Sequence, residues 1–367
     1  MKKSPLQCLI TFRNDYATPG LWRSNGYLQN VKFFYDLLKS LGHEPYFLIA
    51  GEPASPVVTM FGNEYRLVSH QSVLSSGRHI DIAFDAAASI NSDFRHQLAE
   101  RFGTRIVVIR YGISMVMDME QMVHVETLTP GMHVGDADML WTSPHIAYGA
   151  SYLQTLYNCP AVSAPYLWEP DFIHGAEPTG TPGVVPDIYV MEPNLSVIKN
   201  ALIPLAIIEE VYRRAPESFG KATILNGLGF NSRKFFLENI VRNLPCVRAE
   251  KNKVYFAGRH GFSDTFKRRG DVLLGHQWGC ELNYLYLEAL YLGVPLVHNA
   301  KALSKVGYYY PEFDAQLGRD RCLEALRLGC TEADLARNRK SLKKYSIRHP
   351  AVRRAYAHLL DQVRSFS

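Results

Sequence analysis

Short apolar runs alternate with amphipathic stretches from the start of the chain. The run Leu9–Phe12 predicts a strand, and apolar residues at helical spacing predict a helix over Gln29–Leu41. Gly42 follows this helix, as is common at helix ends, and Pro45–Ala50 predicts a second strand. A strand, a helix and a strand within about 40 residues favour a parallel sheet with right-handed crossovers.

The alternation continues to residue 170. Three further strands and one helix are predicted here: His79–Phe84, Ile106–Arg110, Met139–Thr142 and the helix Phe94–Arg101. Next comes Pro165–Pro186, which is too rich in proline and glycine for a helix or a central strand and therefore predicts a linker. The first domain is accordingly expected to span residues 1–170.

After the linker the alternation restarts, which predicts a second domain over residues 187–345. Its predicted strands are Asp187–Met191, Ala222–Asn226, Val254–Ala257 and Pro295–His298, and its predicted helices are Leu195–Arg214, Ser232–Leu244 and Leu282–Leu292. Two α/β halves of this kind predict two Rossmann-like, doubly wound domains, in which ligands bind outside the carboxyl ends of the strands.

The remaining residues, 346–367, contain an amphipathic stretch, Ala351–Phe366, that predicts a final helix. This helix could cross back onto the first domain or lie on the surface, and periodicity alone leaves both open.

Composition adds few constraints to this fold prediction. The chain has 367 residues, 47% hydrophobic and 20% charged, and no apolar run near the ~20 residues that span a bilayer. Six cysteines are scattered without C-x-x-C spacing, which favours buried thiols over a metal site or disulfides. The short, interrupted apolar stretch near the N-terminus does not resemble a signal peptide, so a cytoplasmic location is expected.

The net charge of +5 is unevenly distributed. Residues 1–175 carry 12 Lys+Arg against 16 Asp+Glu, whereas the remainder carries 28 against 19, with the densest basic run at residues 337–354. A basic half can hold an anionic ligand such as a nucleotide diphosphate or contact nucleic acid, and a solvated helix face remains the alternative for 337–354.

The segment His276–Asn299 combines polar groups with a predicted helix–turn–strand unit. Glu281 and Asn283 lie at the start of the predicted helix, where free N–H groups favour anions such as a diphosphate. Glu288 follows Glu281 by two helical turns on the same face, and carboxylates can accept hydrogen bonds from a ribose diol or a sugar ring.

The string from Glu281 through Glu288-Ala289-Leu290 to Gly293-Val294-Pro295 resembles the donor signature of retaining GT-B glycosyltransferases. The resemblance implies two Rossmann-like domains facing a cleft, a nucleotide-diphosphate sugar (UDP-sugar favoured) as co-substrate, and no obligatory cofactor. In that family the later glutamate holds the ribose. Trp278-Gly279-Cys280 departs from the family pattern of small residues before the first carboxylate, which leaves retaining and inverting chemistry open.

A closer resemblance extends over most of the chain. ELNYLYLEALYLGVPLVHN, followed by Gly307–Pro311, and also Trp141–His145 and Gly26–Asn30, are similar to a poorly characterised glycosyltransferase-like family of bacteria and phages. We therefore predict that the donor site includes His276, Glu281, Asn283, Tyr284, Glu288, His298 and Asn299.

Cations would offset the charge of the leaving diphosphate where no metal does so. Lys199 and Arg259 both follow predicted strands and are the candidates. No metal site is predicted: Asp136-Ala137-Asp138 matches the D-x-D motif of another glycosyltransferase fold, but a match of three residues is expected by chance.

The first domain supplies the acceptor side. Gly26 and Asn30 lie where the resemblance places the cleft wall, and glycine permits close approach of a ligand to the backbone. Asp15, Asp85, Asp118 and His145 lie near predicted strand ends and are the candidates for a general base, of which Asp15 and His145 are placed in the predicted site.

The sequence thus predicts a glycosyltransferase that acts on an acceptor hydroxyl of a surface glycan, a protein or a hydroxymethylated base in phage DNA. Two alternatives remain: a non-catalytic protein that binds nucleotide sugars, and a nucleotide-sugar epimerase of the same fold.

Overall fold

A computed structural model describes residues 4–13, 22, 26–86, 89–123, 136–173, 175–181, 185–249, 252–280 and 282–365. The chain divides into two compact units. The first comprises Met1–Phe172 and Lys344–Ser367, and the second comprises Ile173–Lys343. The C-terminal helix thus belongs to the first unit.

The first unit is built on an eight-stranded sheet. Its strands are β1 (Gln7–Thr11), β2 (Glu44–Ile49), β3 (Val57–Met60), β4 (Asn63–Ser69), β5 (Ile82–Asp85), β6 (Arg105–Arg110), β7 (Met139–Thr142) and β8 (Ala161–Ser163). The order is β3-β4-β2-β1-β5-β6-β7-β8. Every pairing is parallel except the β3–β4 hairpin, so the chain winds outward in both directions from β1.

Helices connect these strands. They are α1 (Gly26–Ser40), α2 (His70–Ser76), α3 (Ser92–Phe102), α4 (Ser114–Val123), α5 (Ala150–Tyr157) and the C-terminal helix, here α13 (Pro350–Ser365). α13 packs through Tyr356, whose ring lies 5.8 Å from Phe34 and 5.9 Å from Trp141. Arg353 on the same helix donates to the hydroxyl and carbonyl oxygens of Ser40 at the end of α1. These contacts explain why the end of the chain is part of the first unit.

The second unit has a six-stranded sheet that is parallel throughout. Its strands are β9 (Ile188–Val190), β10 (Ala222–Ile224), β11 (Val254–Phe256), β12 (Val272–Leu274), β13 (Leu296–His298) and β14 (Tyr308–Tyr309). The order β11-β10-β9-β12-β13-β14 is the 3-2-1-4-5-6 arrangement of a Rossmann domain.

The helices of this unit are α6 (Leu202–Arg214), α7 (Lys234–Asn239), α8 (Pro245–Arg248), α9 (Phe262–Thr265), α10 (Tyr284–Leu292), α11 (Ala315–Leu328) and α12 (Glu332–Leu342). The apolar stripe of α6, including Leu205 and Ile208, packs with strand residues Ile188, Ile224 and Leu274 in one buried cluster. This core fixes the central strands whose carboxyl ends carry the candidate site.

The structure departs from the predicted elements in several places. It contains elements that the sequence pattern does not predict, among them β3, β4, β8, β12, β14, α11 and α12. The helix predicted over Leu195–Arg214 begins only at Leu202, because the side chains of Asn194 and Ser196 bond to the backbone of the turn before it. The helix predicted over Ser232–Leu244 is a short α-helix flanked by 3₁₀ turns.

Within the described ranges, no helix has both the length and the apolar character needed to cross a bilayer.

Candidate functional site

Polar residues follow the two central strands of the second sheet. β9 and β12 are neighbours at the point where the strand order reverses, which is where ligands bind in open α/β sheets. Glu192 comes two residues after β9, and His276 and Gln277 follow β12 after the single residue Gly275. The carboxyl ends of these strands therefore bring a carboxylate, an imidazole and an amide to one edge of the sheet.

The carboxylate of Glu192 is the centre of this cluster. It accepts hydrogen bonds from the His276 backbone N–H (3.2 Å) and the Tyr286 hydroxyl (3.0 Å) through Oε1. Gln277 Nε2 donates to Oε2 at 3.1 Å. Burial raises the pKa of Glu192 to about 7, and these hydrogen bonds and the positive charge of Lys199 oppose that rise. The carboxyl group is therefore poised to change charge near neutral pH.

Gly275 allows Tyr286 to reach Glu192. A Cβ at this position would lie 2.4 Å from the Tyr286 hydroxyl oxygen. No larger residue fits between β12 and α10, so the glycine is required by the close approach of the tyrosine ring.

His276 is held neutral and oriented. The Tyr310 hydroxyl donates to the Gly275 carbonyl oxygen (3.1 Å) and lies 3.0 Å from His276 Nδ1. With the tyrosine hydrogen committed to Gly275, His276 Nδ1–H is the donor to Tyr310 and Nε2 carries the lone pair. Burial lowers the pKa of His276 to about 4, because the charged ring would be poorly solvated.

Two acceptor atoms in this cluster have no hydrogen-bond partner among the described residues. They are His276 Nε2 and Gln277 Oε1, and both are shielded from solvent. Buried polar atoms without partners are uncommon in folded proteins, and a bound ligand can supply the missing hydrogen bonds. Both atoms are acceptors, so the groups that would satisfy them are hydroxyl or N–H donors.

Asn299 holds the ends of β12 and β13 together. Its Oδ1 accepts from the Gln277 backbone N–H (3.0 Å), and its Nδ2 donates to the Gln277 carbonyl (2.7 Å). The side chain of Asn299 is thus committed to positioning Gln277.

His298, the last residue of β13, also has its side chain engaged in hydrogen bonds with the backbone. Its Nδ1 accepts from the Ala300 N–H and its Nε2 contacts the Val306 carbonyl at 2.9 Å. Burial lowers the pKa of His298 to about 4. Because the backbone engages both ring nitrogens, the structure gives His298 a scaffold role for the loop 299–306, and its direct contact with a donor stays a prediction.

The start of α10 lies in the same segment. Asn283 caps this helix through a bond from the Tyr286 N–H to its Oδ1 (3.1 Å). Tyr284 begins the helix and Glu288 lies one turn later, and both are buried. Glu281 lies outside the described residues, so its predicted role is not tested by the structure.

The two predicted cations lie in loops of the second sheet. Lys199 closes a turn after β9 through backbone bonds to Asn194 and Ser196, and its charge acts on Glu192. Arg259 is exposed and follows the edge strand β11. The charge of Lys199 therefore acts on the Glu192 cluster, whereas Arg259 follows a strand two places from β9 in the sheet, and its contact with a donor stays a prediction.

A pair of exposed aromatic rings, Phe313 and Trp278, adjoins His276 through Phe313. The Phe313 ring lies 4.9 Å from the His276 ring and 5.9 Å from the Trp278 ring. Both Trp278 and Phe313 are about half exposed, at 54% and 49%. Large exposed aromatic faces next to a polar cluster are suited to stacking on a base or a sugar ring.

The candidates of the first unit are Gly26, Asn30, His145 and Asp15. Asn30 is buried on α1 and donates to the Gly26 carbonyl oxygen at 2.8 Å, so this pair closes the first turn of the helix. His145 lies in a 3₁₀ turn after β7, with its ring 5.4 Å from that of Tyr166. Asp15 lies outside the described residues.

Asp138 of the Asp136-Ala137-Asp138 segment has a structural role. Asp138 pairs with Arg105 at 2.9 Å and accepts from the Ile106 backbone N–H, which fixes the start of β7 against β6. No group of three or more potential metal ligands occurs in the part of the chain that the structure describes.

Sequence reasoning missed Glu192, Gln277, Tyr286 and Tyr310. Glu192 follows a predicted strand, and this position was a usable signal. Gln277 could not be placed because β12 is not predicted, and the two tyrosines occupy ordinary apolar positions of a helix and a strand end.

Comparison with known proteins assigns the chain to a family. The family model of a protein of unknown function, DUF2827, matches residues 10–360. The chain belongs to this family. No curated protein matches the chain.

Solved structures show the same fold at low sequence identity. Trehalose-6-phosphate synthase OtsA superposes with a TM-score of 0.59 at 13% identity, covering 97% of this chain and 99% of that chain. The enzyme of the same type from Burkholderia multivorans gives 0.57 at 11% identity, covering 99% and 97%. An α-glucosyltransferase solved with UDP and a 13-mer DNA containing an HMU base gives 0.54 at 10% identity, covering 98% and 100%. This DUF2827 protein therefore has the GT-B fold, with two Rossmann-like domains.

Proposed function

We propose that this DUF2827 protein transfers a glycosyl group from a nucleotide-diphosphate sugar to an acceptor hydroxyl. The observation that carries the proposal is the pair of unpartnered acceptors, His276 Nε2 and Gln277 Oε1, at the strand-order reversal of the second Rossmann domain. Hydroxyl groups of a sugar or a ribose are donors of the required kind.

The surrounding residues suit the remaining parts of such a donor. Lys199 supplies positive charge next to Glu192, where a diphosphate leaving group would need it. The start of α10 offers first-turn N–H groups, and Glu288 on that helix is the candidate for the ribose diol. Arg259 is the second candidate cation. Reaction rate would come from positioning and from stabilisation of the departing diphosphate.

The solved structures support UDP as the nucleotide. The α-glucosyltransferase of the same fold was solved with UDP bound. A UDP-sugar is therefore the first donor to test, ahead of GDP- and ADP-sugars.

Three classes of acceptor are proposed: a surface glycan, a protein, or a hydroxymethylated base in DNA. DNA is included because the same α-glucosyltransferase was solved with a modified DNA. Binding of DNA should weaken steeply with salt, since each neutralised phosphate releases counterions. A weak salt dependence of acceptor binding would argue for a glycan or a protein.

The test is release of nucleoside diphosphate from a panel of UDP-, GDP- and ADP-sugars, with and without candidate acceptors. We expect one donor to turn over, and His276→Phe to lower kcat/KM for it about 10- to 100-fold, the cost of one or two hydrogen bonds. His358→Phe is the matched control, because His358 is exposed on α13 in the first unit.

The outcomes separate the alternatives. Saturable binding of a UDP-sugar without turnover would indicate a binding protein, and conversion of the donor to an isomer would indicate an epimerase. Equal activity of His276→Phe and the wild type would place the donor elsewhere and overturn the proposed site.

A further inference from the structure

A cavity of about 350 Å³ lies in the second unit, away from the Glu192 cluster. It is lined by the residues that precede β13 (Val294 and Pro295) and by Gly307 and Tyr308 at the start of β14. Since all strands of this sheet are parallel, the cavity lies at the amino ends of the strands. The Glu192 cluster follows the carboxyl ends of β9 and β12, so the two sites lie at opposite ends of the strands of one sheet.

One side of the cavity is formed by α11 and α12. Asn338 on α12 lines it and is 3% exposed, and its Oδ1 has no hydrogen-bond partner among the described residues. A buried amide oxygen is costly unless a donor reaches it. The cavity therefore presents a buried acceptor that a ligand hydroxyl or N–H would satisfy.

The charges around the cavity do not balance. Arg321 pairs with Glu324 at 2.8 Å, and Arg337 pairs with Asp334 at 2.6 Å, so four of the charged lining groups neutralise each other. Lys305, the fifth, is exposed and forms no ion pair with another described residue. One positive charge at the mouth of the cavity is thus left for a ligand anion.

We propose that this cavity binds a small hydroxylated anion of the sugar-phosphate class. Lys305 would pair with the phosphate, and Asn338 Oδ1 would accept from a ring hydroxyl. The volume lies within the range of small-molecule sites. The lining is more polar than apolar, with charged and amide side chains beside apolar groups such as Leu290 and Val294, which suits a hydroxylated anion. The site is separate from the donor site proposed above and does not depend on glycosyl transfer.

The test is a calorimetric titration of the whole 367-residue chain with α-glucose 1-phosphate, with glucose and inorganic phosphate as separate probes. We expect one saturable site for the sugar phosphate and binding at least tenfold weaker for each of the two partial probes, because each lacks one of the two contacts. Lys305→Ala and Asn338→Leu should each weaken binding about tenfold or more. Lys301→Ala, an exposed lysine outside the cavity, is the matched control.

A variant of the proposed donor site distinguishes failure of the cavity proposal from failure of the glycosyltransferase proposal. His276→Phe should bind α-glucose 1-phosphate as the wild type does. Loss of binding in His276→Phe with retention in Lys305→Ala would assign the ligand to the donor site and overturn the proposal. So would equal affinity for inorganic phosphate or glucose alone, or no saturable binding at all.

Discussion

Tyr286 on α10 donates its hydroxyl hydrogen to Glu192, which precedes it by 94 residues and follows the first strand of the second sheet. The bond crosses from a helix to the carboxyl end of β9 and passes the backbone of Gly275, where no side chain would fit. It stabilises the ionised form of a carboxylate that burial would otherwise keep neutral. The helix that carries Glu288 is thereby fixed relative to the polar cluster.

Removing this hydroxyl should destabilise the protein in a pH-dependent way. At pH 8 Glu192 is mostly ionised, so Tyr286→Phe should cost about 1.5–3 kcal/mol, the typical value of a hydrogen bond to a charged group. At pH 5.5 the carboxyl is protonated and the cost should fall to about 1 kcal/mol. Urea unfolding at the two pH values measures both. Tyr255→Phe, at an exposed position of β11, is the control, and an equal loss at both pH values would contradict the assignment.

Gly275→Ala tests the close approach directly. Its Cβ would meet the hydroxyl and ring carbons of Tyr286 at 2.4–2.6 Å, and an overpacked contact of this kind costs about 1–3 kcal/mol. Gly229→Ala is the matched control, because a Cβ at that position would have no atom within 4 Å. In a Tyr286→Leu background the Gly275→Ala cost should shrink, since the two residues are in contact. Full additivity in urea unfolding would show that they do not interact.

Stability should fall as pH drops below 6.5. His276 and His298 have folded-state pKa values lowered to about 4 by burial, whereas the unfolded chain protonates each near 6.5. The unfolded state therefore binds more protons between these values, and each histidine should cost about 2 kcal/mol between pH 6.5 and 5. Glu192 acts in the opposite direction, because its raised pKa makes stability fall as pH rises from 4.5 to 7.

The measurement is the free energy of unfolding between pH 5 and 7.5. His298→Gln should have a flatter profile than the wild type, and His358→Gln, an exposed position, should not. A profile for His298→Gln as steep as that of the wild type would mean that folding does not lower the pKa of His298.

The sequence predicted the parts of this structure that depend on local pattern. The helix at 29–41 and the strands at 106–110 and 139–142 follow from apolar periodicity, and the structure has elements there with bounds within a few residues. The strand β12, Val272–Leu274, is not predicted, because its three apolar residues directly follow the charged stretch Lys267–Asp271, which favours a solvated loop. Without β12 the strand order of the second sheet cannot be predicted. The hydrogen bond between Gln277 and Glu192 cannot be predicted either, because it forms only where β9 and β12 are neighbours.

Lys32, on the buried side of α1, is a second feature that the sequence pattern predicts only in part. The helical spacing of Val31 and Phe34 predicts an apolar face, but Lys32 on the same helix is fully buried as well. Its charge is balanced by Asp36 one turn away and by Asp171, 139 residues later. The nearer partner can be proposed from the i, i+4 spacing, whereas the distant one cannot, because only the folded chain brings it to the helix.

Lys32→Met should therefore destabilise the first unit. The substitution preserves the apolar stem and removes the charge. Among the described residues, the largely buried Asp36 carboxylate then keeps one hydrogen bond, from the Tyr65 hydroxyl at 3.4 Å. Removing one partner of a buried ion pair costs about 3–5 kcal/mol, and the value here should lie near the lower end of that range because Asp171 is one-third exposed.

Lys39→Met is the matched control, since Lys39 is exposed near the end of the same helix. Adding Asp36→Leu to Lys32→Met should recover part of the loss, because the stranded carboxylate is then gone. The loss should also shrink at low pH, where Asp36 is protonated: burial already raises its pKa, and without Lys32 the pKa would rise further. Urea unfolding of the three variants at pH 5 and pH 7.5 measures each of these effects, and a Lys32→Met protein as stable as Lys39→Met would show that the buried ammonium contributes no net stability.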